Sequence, residues 1–360
     1  MPKSLEESSV EPLPEGMLYL LLTGKFPQQH DVESIGEELK ELGGLNNSIK
    51  KFILGLPKEM HSMTMLSMTL LFLQNESVFF NGYKSGIKKP QYWEYIYDDA
   101  MTLIAKIPAI AAAIYRHKYK GDQFIESNPN LDWAGNFSHM LGYDQFGARE
   151  CLRGYLAIHC DHDGGNVSAH TTQLVGSALA DPYLAFSAGL NGLAGPLHGL
   201  ANQESLKFLI GMSEAVGDKP SNEDIVKYVK GVLASGKVVP GYGHAVLRDT
   251  DPRFTHQKKF ALRNIQGDPL VDLMLKCSEV IPEVLIGTGK VSNPYPNVDA
   301  NSGVLLHHYG LTEYDYYTVV FGVSRVIGCM SNLILSRAFG LPIERPDSVD
   351  MKWIKNATKV

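Results

Sequence analysis

Apolar residues recur along most of the chain at the spacing of a helix. After Ser221, the residues Ile225, Tyr228, Val229, Val232 and Leu233 fall on one helical face. Asp224 stands three positions after Ser221, where a capping box usually has Glu or Gln, and Gly236 is placed to end the helix. A longer apolar pattern begins near Thr312, again with an Asp three residues on (Asp315). It runs through Val323, Val326, Ile327, Met330 and Ile334 and stops at Gly340-Leu341-Pro342. The same period predicts helices over Ser34–Leu42, Met63–Gln74, Tyr92–Ala105 and Leu206–Val216. The run Pro182–Gln203 has no Asp, Glu, Lys or Arg, and Gly, Asn, Pro and His interrupt it, which predicts buried, tightly turning backbone. Strand signals are confined to short pieces such as Lys237–Val239, and no heptad or repeat is present. The pattern as a whole predicts a mainly α protein. Loops rich in Gly, Pro and Asn fall at 161–168, 190–198, 238–244 and 293–303, and each contains a His or an Asp, which marks them as candidate functional segments.

Composition narrows the class without changing this picture. With 44% hydrophobic and 20% charged residues over 360 positions, the chain is long enough for two domains and far from disorder. A net charge of −6 gives no reason to expect nucleic acid, and an anionic ligand would need local basic clusters. Four scattered cysteines without a C-x-x-C pair predict a reducing compartment and neither a disulfide frame nor a cysteine zinc site. Met60–Leu73 falls short of the roughly 20 apolar residues a membrane span requires. Residues 1–14 carry Glu6, Glu7 and Glu11 against Lys3 alone, unlike an Arg-rich, acid-poor import presequence.

Within the candidate loops, a few side chains could do chemistry. His198 closes a Gly-rich turn just before an amphipathic stretch. A helix N-terminus there would keep its ring neutral, able to donate to an enolate oxygen, although a core histidine bonded to a carbonyl fits the same residues. His244 ends Val239-Pro240-Gly241-Tyr242-Gly243, whose glycines allow a ligand close to the backbone, and Arg248 and Arg253 follow with charge suited to an anion. Asp299 sits on backbone stiffened by Pro294 and Pro296, as a base acting beside a carbonyl requires; an Asx-type cap is the alternative. Arg325 interrupts an apolar helix where an unpartnered guanidinium is costly, and with Arg253 and Arg345 it could clamp two carboxylates. His162, in His159-Cys160-Asp161-His162-Asp163-Gly164-Gly165, lacks metal-site spacing and suits a donor to a substrate carboxylate better.

These segments together resemble the citrate synthases of the eukaryotic, mitochondrial type. The matching runs are Glu11–Gly16, His162–His170, Gly192–Glu204, Val239–Arg253, Asn297–Leu306, Phe321–Arg325 and Glu344-Arg345-Pro346, in the family order and over almost the whole chain. The resemblance implies a mainly α, two-domain helical fold with an interdomain active-site cleft, residues 1–199 plus 311–360 forming the large domain and 200–310 the small one. It implies condensation of acetyl-CoA with oxaloacetate and water to citrate and CoA, in a homodimer of the mitochondrial matrix, with acetyl-CoA as substrate and no metal or other cofactor. Asp299 would be the general base, His198 the enolate donor, and His244 the residue polarising the ketone. His162, Arg253 and Arg325 would hold carboxylates together with Arg345 of the partner subunit, and Val239, Pro240, Gly241, Tyr242, Gly243 and Arg248 would meet CoA.

The sequence departs from the family pattern in four places. Only ten residues precede Glu11 where the family has a longer portion, Asn301 replaces a usual His, Ser292 a Lys, and Asp249 a common Lys. The lost charges bear on CoA binding, and the short leading segment on dimer stability. A 2-methylcitrate synthase using propionyl-CoA, a non-catalytic paralogue of the same fold, and a cytoplasmic location are the alternatives that stay open on sequence.

Overall fold

The computed structural model describes residues 1–161, 164–244 and 246–358. The first body of the fold comprises α1 (Pro14–Thr23), α2 (Gln29–Leu42), α3 (Asn47–Leu54), α4 (Ser62–Leu73), α5 (Val78–Lys84), α6 (Tyr92–Tyr119), α7 (Trp133–Leu141), α8 (Phe146–His159), α9 (Val167–Ser177) and α10 (Pro182–Leu193). A second group follows: α11 (Ala201–Val216), α12 (Asn222–Ala234), α13 (Pro252–Asn264), α14 (Pro269–Gly287) and α15 (Asp299–His308). The chain then returns to the first body through α16 (Tyr317–Ala338) and ends with α17 (Met351–Ala357). Among the described residues the β-type pairs are two isolated bridges, Lys3 with Pro12 and Tyr242 with Pro296. Among the described residues Lys237–Val239 is not a strand and pairs with no other segment in a ladder.

Local chemistry explains where the helices begin and end. α12 starts as predicted, since the Ser221 hydroxyl accepts from the Asp224 amide at 3.1 Å while the Asp224 carboxylate accepts from the Ser221 amide at 3.0 Å. The shorter acid closes the box as well as Glu would. α6 runs well past the predicted end at Ala105 and through Pro108. A proline inside a helix costs about 3 kcal/mol. Ile107, Ile110 and Ile114 beside it are fully buried, each contributing about 1.5–3 kcal/mol, so packing outweighs the break.

Pro182–Leu193, predicted as turning backbone, is helix α10, capped by Asp181 accepting from the Leu184 amide at 3.1 Å. Its glycines are packing residues: a Cβ on Gly189 would lie 2.1 Å from the Thr172 hydroxyl of α9, so only glycine lets the two helices meet this closely.

α6 and α16 pack along each other at the centre of the first body, with α4, α9 and α10 on one side and α7 and α8 on the other. Tyr314–Ala338 is long and apolar enough to cross a membrane by length and composition, with mean hydropathy 1.6, but 83% of that window is buried and the helix serves as a core element. In the second group α11 packs on α15, α12 on α14, and α13 and α14 on α15. α8 reaches α13 and α15, and α16 touches α11, so the two groups meet along these helices.

Candidate active site

Two loops of the second group are stitched together by backbone bonds. The amide of Gly243 donates to the Tyr295 carbonyl at 3.0 Å, and that of Asn297 to the Gly241 carbonyl at 2.9 Å. The Asn297 side chain donates to the Gly243 carbonyl at 2.8 Å. Gly241 has φ +81° and packs where a Cβ would fall 2.7 Å from Ala300 Cα, so the turn requires glycine on both counts. This seam carries His244 on one loop and Asp299, the first residue of α15, on the other.

The ring of His244 is oriented by backbone. Its Nδ1 accepts from the amides of Val246 and Leu247 at 3.0 and 2.9 Å. Amides only donate, so in the neutral ring the proton lies on Nε2, which becomes the donor toward a ligand. Burial pushes the carboxyl of Asp299 up to about 6; Arg253 and Arg325 oppose the rise and Asp251 adds to it. Arg253, near the start of α13, is gripped by Asp251, whose carboxylate takes its Nε and Nη2 at 3.0 and 2.7 Å. Asp251 also accepts from the Val298 amide at 3.3 Å, which joins Arg253 to the residue before Asp299.

The first body supplies the facing wall. Arg325 is 1% exposed; its Nε donates to the His159 carbonyl at 3.1 Å, its Nη1 to Asn166 Oδ1 at 3.0 Å, and it lies over the Phe321 ring. Burial lowers its pKa, though a guanidinium stays charged. His159 is stacked on Tyr155, with its Nδ1 against the Tyr155 carbonyl at 2.8 Å. Burial, with Arg253 next, drives its pKa down to about 3, so this ring is neutral.

His198 lies on the turn between α10 and α11, and its Nε2 faces the amide and hydroxyl of Ser168 at 3.2 and 2.9 Å. The positive helix end at this ring is thus that of α9, near whose start Ser168 stands, rather than that of α11. Because the Ser168 amide must donate, the neutral ring carries its proton on Nδ1. Phe321 edges against both His159 and His198.

Of the residues singled out in the sequence, Asp299, Arg253 and Arg325 lie within electrostatic reach of one another. His244 joins them through the stitched loops and His198 through Phe321 and Ser168. His162 lies outside the described residues. Arg345 is exposed after α16 and is not brought into this cluster by its own chain. Arg248 is also exposed, donating to the carbonyls of Val246 and Leu247. Val239 and Gly241 are buried and hold their loop to the fold, with Pro240, Tyr242 and Gly243 part-buried beside them.

The sequence did not point to Asp251, His159, Asn166, Ser168 or Phe321. Two of these leave local signals: Asp-Pro-Arg at a helix start, and Phe321 four residues before Arg325. A cavity of about 150 Å³ between α2, α6 and α7 is lined by none of the site residues. Among the described residues no group of three or more His, Cys, Asp or Glu side chains is placed to hold a metal ion.

A carboxylate of raised pKa facing cationic side chains and oriented imidazoles can take a proton from carbon while an anionic partner is held beside it. A helical enzyme that takes a proton from carbon beside a bound anion is the class this combination defines. The family model described as citrate synthase, C-terminal domain, matches residues 7–347. The mitochondrial citrate synthase of Tetrahymena thermophila is 59% identical over 98% of this chain and 76% of its own length. That of Daucus carota is 53% identical over 97% of this chain and 74% of its own. The solved citrate synthase of Pyrobaculum aerophilum superimposes with TM-score 0.81 at 26% identity, over 94% of this chain and 82% of that one. The chain belongs to the citrate synthase family.

Proposed function

We propose that this chain condenses acetyl-CoA with oxaloacetate through Asp299, His198 and His244. Asp299 takes a proton from the acetyl methyl group, and the Nδ1–H of His198 donates to the thioester oxygen as it becomes an enolate. A donor so placed is worth about 3–4 kcal/mol. The enolate carbon then attacks the ketone carbon of oxaloacetate, whose oxygen takes a hydrogen bond from Nε2–H of His244. Water finally cleaves the citryl thioester, giving citrate and CoA. No electrons are transferred, so the balance calls for no redox cofactor.

Arg253, Arg325 and His162 hold the carboxylates of oxaloacetate, with Arg345 of the partner subunit completing the set. The loop Val239–Gly243 and Arg248 meet CoA. Residues 200–310 form the small domain, closing on a large domain of 1–199 plus 311–360; closure excludes water and strengthens the enolate contacts. The homodimer this requires is supported by apolar side chains exposed on neighbouring helices, Met68 and Leu71 of α4 and Leu184 of α10. The mitochondrial location of the relatives carries over to this chain.

The observation that supports the chemistry most directly is Asp299, its carboxyl raised to about 6 beside Arg253 and Arg325. A thiol-release assay with acetyl-CoA and oxaloacetate tests it. Oxaloacetate-dependent CoA release that collapses in Asp299→Ala is the expected result. A folded protein that releases no CoA, or an unaffected variant, would overturn the assignment.

A further inference from the structure

Asn301 stands two residues after Asp299 on α15 and is fully buried. Its Nδ2 donates to the carbonyl of Phe254 at 3.1 Å. Phe254 directly follows Arg253 on α13, so this side chain links the helix of the base to the helix of a carboxylate-holding arginine. The orientation of the amide is settled by its partner, since a carbonyl can only accept. The other end of the group, Oδ1, is buried without a hydrogen-bond partner among the described residues. Leaving a buried acceptor unmet is unfavourable, and such breaches of local satisfaction gather where geometry serves function.

The link has a counterpart. At the mouth of the two helices, Asp251 holds both the Arg253 guanidinium and the Val298 amide, and the Asp251 amide donates to the Pro296 carbonyl at 3.2 Å. That junction ties the start of α13 to the start of α15. The Asn301 bond is made further along the pair. Together the two connections flank Arg253 and Asp299 along their helices.

We propose that Asn301 is a positioning residue for the condensation, holding α13 against α15 so that Arg253 and Asp299 keep their working separation. The proposal rests on the roles assigned to those two residues above. The groups facing Asp299 among the described residues are Arg253 and Asp251 of the α13 start, Arg325 of α16 and Tyr155 of α8. Arg253 favours the ionised carboxylate more than Asp251 opposes it, so loosening α13 from α15 makes the base harder to deprotonate.

The test compares Asn301→Leu, which keeps the branched four-atom skeleton and removes the donor, with Asn301→His, which restores an N–H at this position. In the leucine variant, KM for oxaloacetate rises on the order of tenfold. The acid limb of its kcat/KM profile moves up by roughly half a pH unit. The histidine variant recovers both. A leucine variant with the wild-type KM and acid limb overturns the proposal. So does equal loss in both variants with an unmoved pH profile, which is the signature of general damage. Should Asn301→Leu not fold, Asn301→Ser is read by the same criteria. A wild-type protein without oxaloacetate-dependent CoA release would instead sink the site assignment itself.

Discussion

Asp299 shows how a single side chain trades stability for reactivity. Its folded pKa of about 6 lies above the ordinary 3.8, so the folded state binds its proton more tightly than the unfolded state does. The group therefore costs nothing below the ordinary value, and stability falls as pH rises from there through about 6. A rise of this size corresponds to about 1–3 kcal/mol at neutral pH. Asp299→Asn is expected to melt higher than wild type at pH 7, with the gain vanishing toward pH 4, while CoA release is lost. Melting curves at the two pH values check this. In the wild type, kcat/KM should fall as pH drops through about 6. The side chains the structure gathers here, His198, His244, Asp299, Arg253 and Arg325, stood out in the sequence as chemistry-bearing residues in or beside Gly- and Pro-rich loops or, for Arg325, in an apolar helix. Their proposed roles came from the family resemblance. The residues that orient them did not stand out. Ser168 meets His198 across thirty positions of sequence, and Asn166 meets Arg325 across 159, contacts that no local pattern announces.

The helices expected from periodicity are present, the one expected from Thr312 beginning at Tyr317, and in two places packing overruled a local signal. α6 continues past its expected end at Ala105 and through Pro108, where buried isoleucines override the break, and the glycines of α10 suggested turns where they serve close contact with α9. The leading segment offers a test at this scale. Glu11, 2% exposed, accepts from His256 Nε2 at 2.6 Å and pairs with Arg263, both on α13, while its own amide donates to Glu150 of α8 at 3.2 Å. It pins the helix bearing Arg253 to the first body. Glu11→Gln removes the charge that both partners face, and because Arg263 is partly exposed the expected loss is about 1–2 kcal/mol. Urea unfolding would register it as a lower midpoint with unchanged slope.

For the whole molecule, periodicity gave the helical class, but the division into two groups of helices came from resemblance, since the Gly- and Pro-containing turn between α10 and α11 reads like the other loops of the chain. Apolar side chains left exposed on α4 and α10 carry the question beyond one chain. Leu184→Glu places a charge in the proposed dimer face, and sedimentation should show dissociation toward monomer at micromolar concentration. If Arg345 of the partner subunit completes the carboxylate site, activity of that variant should fall with dilution far more steeply than that of wild type.

The two amides that hold Nδ1 of His244 have a consequence for proton traffic. A ring that passed a proton from one nitrogen and collected another at its far side would need an acceptor there, and Val246 and Leu247 present only N–H groups. The two amides hold Nδ1 as an acceptor and leave Nε2 as the proton-bearing nitrogen of the neutral ring. In the role proposed for His244, a proton given to the new hydroxyl of the product is one that Nε2 has to regain before the next turnover.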